Sequence, residues 1–165
     1  MEPIYTVKSV CTKEEYIRYN RFILNKEAHL GRFYFLFVAI VVIWIIACVI
    51  KGQYLECAAP LLVLAYIAYA FYVRMDRKAS KVYDSNETMK DLSAGYEVKF
   101  YDDHYEVKTP NGNSAVDYSK IHRVYFTPDN VYLLQGQNVG HILQKENFPE
   151  GLEEFLLKLK DEYGV

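Results

Sequence analysis

Two uncharged apolar runs constrain this chain more than any other feature: FYFLFVAIVVIWIIACVI, Phe33–Ile50, and a second ending in LLVLAYIAYAFYV at Val73. Between Phe33 and Val73 the only charged side chains are Lys51 and Glu56, both in the segment IKGQYLECAAP that separates the runs. The first run has 18 residues. At the rise of an α-helix it spans about 27 Å, close to the hydrocarbon thickness of a bilayer. Each run is apolar on every face rather than along one stripe, unlike the core-facing helix of a soluble domain. Burying two such helices inside protein would take a large surround, and the remaining residues are too few and too polar to supply it. The runs are therefore expected to be membrane spans, about 33–50 and 55–73, joined by an outer loop at 51–54. Pro60 falls in the first turn of the second helix, where a missing N–H costs little. A cleaved signal peptide is not expected, because the first run follows 32 mostly polar residues and exceeds an h-region in length.

Lysine and arginine set the expected orientation. Lys13, Arg18, Arg21, Lys26 and Arg32 precede the first run, Arg74, Arg77, Lys78 and Lys81 follow the second, and the loop between them has Lys51 alone. The positive-inside rule then puts both termini in the cytoplasm. Phe33, Tyr34 and Phe35, with Tyr69, Phe71 and Tyr72, are expected at headgroup level. Arg74, Arg77, Lys78 and Lys81 become candidate contacts to the membrane surface and its anionic lipids. An impermeant thiol reagent applied to intact cells is expected to reach Cys57 and spare Cys11.

Outside the hairpin, three segments are expected: a cytoplasmic arm at 1–32, a juxtamembrane helical connector at 74–94 and a domain at 95–165. In the arm, IYTVKSV reads as a strand over 4–10. A lone strand is not stable, so it needs a partner beyond the hairpin. TKEE, Thr12–Glu15, reads as a capping box opening a helix over 13–30. Tyr16, Tyr19, Phe22 and Ile23 share one face of it, which could lie in the membrane interface or pack on the cytoplasmic domain. The connector carries no clear period and is expected to extend the second span, with a break near DSNET.

From Gly95 onward apolar and polar residues alternate in short blocks: YEVKFY, HYEVKT, SAVDYSKI, RVYFT, VYLLQ and VGHILQK, separated by turn residues at Asp102–Asp103, PNGN, PDN and GQN. About six antiparallel strands follow from this pattern. A terminal helix then carries Leu152, Phe155, Leu156, Leu159 and Tyr163 on one stripe, with Pro149 suited to its first turn and Gly164 to its stop. The fold class is membrane α+β: a two-helix transmembrane hairpin plus a small antiparallel barrel or sandwich capped by the C-terminal helix. Six strands and a helix approach the plan of a pleckstrin-homology-like domain, and strand 4–10 could supply the seventh.

The segments TKEEYIRYNRF, VDYSKIHRVYFT and ILQKENF, with Tyr118, Ile121 and Phe148, resemble the YcxB-like family of small bacterial membrane proteins. The resemblance implies a pleckstrin-homology-like cytoplasmic domain on a membrane anchor and a bacterial cytoplasmic membrane location. It implies no catalytic residues. Where the family tends to carry Ile-Pro-Lys, this chain has Leu143, Gln144 and Lys145.

Chemistry-bearing motifs are sparse. No phosphate-binding glycine loop, nucleophile elbow or H-E-x-x-H occurs. Asp102, Asp103 and His104 read as a solvated turn, His122 and His141 lie on strands without ligand partners, and His29 sits before the first run. Cys11, Cys48 and Cys57 contain no C-x-x-C, so no metal site is expected; Cys48 and Cys57 fall near one face, where a bridge is conceivable. Neither an enzyme nor a cofactor is expected. From Val82 onward there are eight basic and fifteen acidic residues, a net of −7. That balance disfavours nucleic acid and phosphoinositide capture. The expected role is a membrane-anchored interaction or regulatory module docking a protein partner at the inner surface. A self-associating structural component, or a lipid or small-ligand sensor, is the alternative.

Overall fold

The computed structural model describes residues 2–27, 29–136 and 139–163. The chain divides into two compact units, Arg21–Lys81 and the remainder, Met1–Asn20 with Val82–Val165.

In the first unit, α2 (Leu30–Ile50) is followed by a turn at Lys51–Gln53, a single 3₁₀ turn at Tyr54–Cys57, and α3 (Ala58–Tyr69). α3 continues through a π-helical turn at Ala70–Arg74 into α4 (Met75–Ser85). Two helical stretches, Gly31–Ile50 and Leu55–Ser85, are long and apolar enough to cross a membrane, and only 11% of each apolar window is buried within the protein. Phe35 and Leu62 are each 72% exposed, an arrangement water penalises and hydrocarbon does not. Cys48 and Cys57 are both buried, so labelling of native Cys57 would report packing rather than sidedness.

The arm helix α1 spans Lys13–Lys26, shorter than the 13–30 expected. His29 takes a left-handed backbone with φ of 50° and separates it from α2. Thr12 Oγ1 accepts from the Glu15 backbone N–H at 3.2 Å. The return half of the capping box is not what Glu15 makes: its carboxylate accepts from Asn130 Nδ2 at 3.0 Å and pairs with Arg18 at 3.4 Å. A tertiary partner has replaced the local one. Of the two settings open to α1, its first half takes the domain. Tyr19 is buried, edge-on to Tyr132 at 5.2 Å, and Tyr16 faces Tyr83 at 5.7 Å.

The second unit holds two antiparallel sheets, neither closed into a barrel. One has the order β1-β2-β3-β4, from Tyr5–Ser9, Tyr96–Phe100, His104–Thr109 and Gly112–Asp117. The other has the order β5-β6-β7, from Arg123–Phe126, Asn130–Leu134 and Gly140–Gln144. β1 pairs with β2 in the register Tyr5 to Phe100, Val7 to Val98 and Ser9 to Tyr96, although the whole hairpin lies between them in sequence. Within PNGN the β3–β4 turn is centred on Pro110–Asn111, and Gly112 already pairs with Thr109. Gln137, Asn138 and Gly164 lie outside the described residues.

Two hydroxyls tie the sheets together. Ser9 Oγ donates to the Ile142 carbonyl at 2.7 Å and accepts from the Gln144 N–H at 3.3 Å. The Tyr96 hydroxyl also donates to the Ile142 carbonyl, and accepts from its N–H. α5 (Glu87–Ser93) follows a break at Asn86, inside DSNET, whose side chain caps it by accepting from the Thr88 N–H. α6 (Leu152–Tyr163) buries Leu152, Leu156 and Leu159. Pro149 lies before that helix, not in its first turn, and Gly151 makes the entry with φ of 86°. Phe155 meets Phe100 and Tyr118 edge-on at 6.0 and 6.2 Å, so the helix closes over an aromatic core.

Candidate functional site

Arg74, Arg77, Lys78 and Lys81 are all exposed; their spacing sets them along one side of the helix, and they differ in what each one meets. Arg74 Nη1 reaches the Tyr66 hydroxyl at 3.5 Å, and Arg77 Nη1 reaches that of Tyr69 at 3.3 Å. Each tyrosine sits eight residues earlier, two helical turns away along the same side. Arg74 and Lys78 border a groove of about 580 Å³ between α2 and the α3–α4 helix; Arg77 and Lys81 do not line it. The volume lies within the roughly 300–1,000 Å³ of small-molecule sites. Its floor is apolar, built from Phe33, Phe37, Val63, Ile67 and Phe71, and the π-helical turn forms part of one wall. Tyr34 stacks on Phe71 at 4.6 Å between ring centroids, and Phe71 meets Tyr72 edge-on at 5.2 Å. Arg21 pairs with Asp76 at 2.5 Å and lies over the Tyr72 ring. This end of the hairpin is thus a collar of aromatic rings and cations, and the groove opens within it. Tyr66 and Phe37 were not singled out by sequence, because both runs are apolar all round and carry no period to mark a groove.

The second unit has a smaller cavity, about 100 Å³, lined by residues that include Cys11, Tyr19, Tyr96, Gly140 and His141. The buried Tyr19 hydroxyl has no hydrogen-bonding partner among the described residues. Burial raises the Cys11 thiol to about 11, which makes it a poor nucleophile. Burial pushes His141 down to about 4. Its Nε2 lies 3.1 Å from Gln135 Nε2, an amide donor that suits a neutral ring and opposes a protonated one. The sign of the linkage follows. Between the unfolded value of 6.5 and the folded value of about 4 the unfolded chain binds the proton first, so stability falls as pH falls through that window, by up to about 3 kcal/mol. Thermal unfolding in detergent from about pH 7 to about pH 4 should show this loss, and His141→Gln should flatten it.

Asp102 and Asp103 form the β2–β3 turn, and His104, expected in that turn, instead opens β3 opposite Asp117. His104 Nδ1 lies 2.6 Å from Asp103 Oδ1, and this contact lowers the Asp103 carboxyl below its usual range. His104 also stacks on Tyr101 at 4.7 Å, so the turn is tied to itself and to its own strand. No group of three His, Cys, Asp or Glu side chains is arranged to hold a metal among the described residues.

No curated protein and no solved structure matches the chain. The family model described as YcxB-like protein matches residues 100–159, from the last residue of β2 into α6, so over that stretch the chain is similar to the family that its sequence resembles.

Proposed function

We propose that this protein is a two-pass protein of the bacterial cytoplasmic membrane whose α+β unit stands in the cytoplasm and docks a soluble, basic protein partner. The observation that carries the reading is the division of charge between the units. Arg21–Lys81 holds eight basic and three acidic residues, a net of +5, and Val82–Val165 has a net of −7. A basic collar beside apolar helices suits anionic headgroups, whereas the acidic unit would be repelled by them and left free to face a partner. The pairing of β1 with β2 supports an even number of crossings, since one strand precedes both apolar helices and the other follows them. Among the described residues, seven antiparallel strands before a C-terminal helix match the strand count of a pleckstrin-homology-like domain, and we read the unit as a variant of that plan. Fold does not fix function, and the acidic surface argues against the phosphoinositide role that the plan would suggest.

The exposed side of α6 sets Glu154, Asp161 and Glu162 against Lys158 alone and is one net-acidic face for docking. The test is purification of the full chain from native membranes after mild crosslinking. A basic soluble protein in near-equal amount, lost as salt is raised and lost when Glu154, Asp161 and Glu162 are changed to lysine, supports docking. Recovery of copies of the chain alone overturns it in favour of a self-assembled component.

A further inference from the structure

The groove between α2 and the α3–α4 helix has a chemistry that matches one class of occupant. Its depth is hydrocarbon in character, from Phe33, Phe37, Val63, Ile67 and Phe71. Its cations stand at one end only, Arg74 and Lys78, one helical turn apart. Glu27, Glu56 and Asp76 are the only acids of this unit. None of the three lines the groove, and Asp76 is engaged by Arg21. A ligand that fits must therefore be apolar over most of its length and anionic at one tip.

Position along the helices sharpens the match. From Leu55 to Arg74 is 20 residues, about 30 Å of helix, the thickness of a hydrocarbon core. With Leu55 at one boundary, Arg74 reaches the other, and Lys78 stands one turn beyond it at headgroup depth. The π-helical turn Ala70–Arg74 falls at this level. Such turns interrupt the regular hydrogen-bond ladder and recur at functional sites. Arg74 Nη1 lies 3.5 Å from the hydroxyl of Tyr66, which lines the same groove.

We infer that this groove is a binding site for an anionic phospholipid, with one acyl chain along the apolar floor and the headgroup phosphate held between Arg74 and Lys78. The inference rests on the membrane reading above and goes beyond it. A general basic collar would attract anionic lipid without preference among Arg74, Arg77, Lys78 and Lys81. A site divides them into two that bind and two that do not. Arginine can meet a phosphate through two N–H donors and lysine adds a point charge, so the pair is a suitable headgroup clamp.

The full-length chain, reconstituted in phosphatidylcholine nanodiscs containing a minor fraction of phosphatidylglycerol, is released into native mass spectrometry and its retained phosphatidylglycerol counted. Wild type should retain phosphatidylglycerol. Arg74→Gln with Lys78→Gln should weaken retention by at least about tenfold more than Arg77→Gln with Lys81→Gln, which removes the same charge. Ala70→Phe, which crowds the groove and leaves every cation in place, should weaken it also. Equal losses from the two charge pairs, with none from Ala70→Phe, would mean diffuse attraction and overturn the site. Alkaline carbonate extraction of native membranes separates the two failures. A chain that stays in the pellet but shows no groove preference loses this inference alone, and a chain that is extracted loses the membrane reading with it.

Discussion

A chain lacking residues 2–10 will lose the folded state of its α+β unit. Limited trypsin digestion in detergent will then cut between Tyr96 and Tyr163 under conditions that leave the intact chain whole. The cause is the depth at which β1 is built in. Val7 is 1% exposed and lies opposite Val98. Burial of such a side chain contributes about 1.5–3 kcal/mol. Tyr5 packs on Phe155 of α6 with ring centroids 5.4 Å apart, a contact of about 1 kcal/mol beyond its area. Ser9 satisfies two backbone groups of β7, at about 1 kcal/mol each. The total is roughly 5 kcal/mol, which reaches the lower end of the stability of a whole domain. Removal also bares the hydrogen-bonding edge of β2, an invitation to aggregation. Val7→Asp should reproduce most of the effect, since it buries an unpaired carboxylate against Val98. Unchanged resistance in both variants would mean that β1 is an ornament on the sheet.

Much of this architecture is legible in the residues, and the reasons differ by element. The apolar helices are readable because nothing in Phe33–Ile50 interrupts them. The strands of the second half are readable because each alternates, as Tyr96, Val98 and Phe100 do against Glu97 and Lys99. The need of IYTVKSV for a partner is readable, but its register on β2 is not, since any antiparallel edge with apolar residues at period two would serve. The end of α1 is hidden because the sequence through Leu30 keeps a helical pattern, while His29 turns left-handed at the junction. Glu15 looks like a capping residue until Asn130 arrives from the far side of the chain. The groove is the least legible part. Both walls are apolar on every face, so only the packing of α2 on α3 decides where they part. The basic residues after the second run are plain in the sequence, yet their division into groove and non-groove pairs depends on helical phase beyond a π-helical turn.

Sidedness is the second result with an all-or-none outcome. The native thiols cannot report it, since Cys11, Cys48 and Cys57 are all buried. With these three changed to alanine, Gln53→Cys places a thiol on the exposed turn between the helices, and Asp102→Cys places one on the exposed β2–β3 turn. In intact cells an impermeant maleimide should label Gln53→Cys and spare Asp102→Cys until the membrane is opened. Two independent arguments set this expectation. Nine lysines and arginines flank the outer ends of the hairpin from Lys13 to Lys81, against Lys51 alone in the turn. The second argument is the sheet. If only one apolar helix crossed the bilayer, β1 and β2 would stand on opposite sides of it and the pairs from Tyr5–Phe100 to Ser9–Tyr96 could not form. Labelling of Asp102→Cys with protection of Gln53→Cys would reverse the orientation and keep the sheet. Protection of both positions would put the turn and the α+β unit on the inner side, and the apolar helices would then need a cover other than a bilayer crossing. Labelling only from outside at Gln53→Cys would join the two units of the chain through one physical constraint. A hairpin crossing a bilayer would have to return to the side it left, because its flanking strands belong to one sheet.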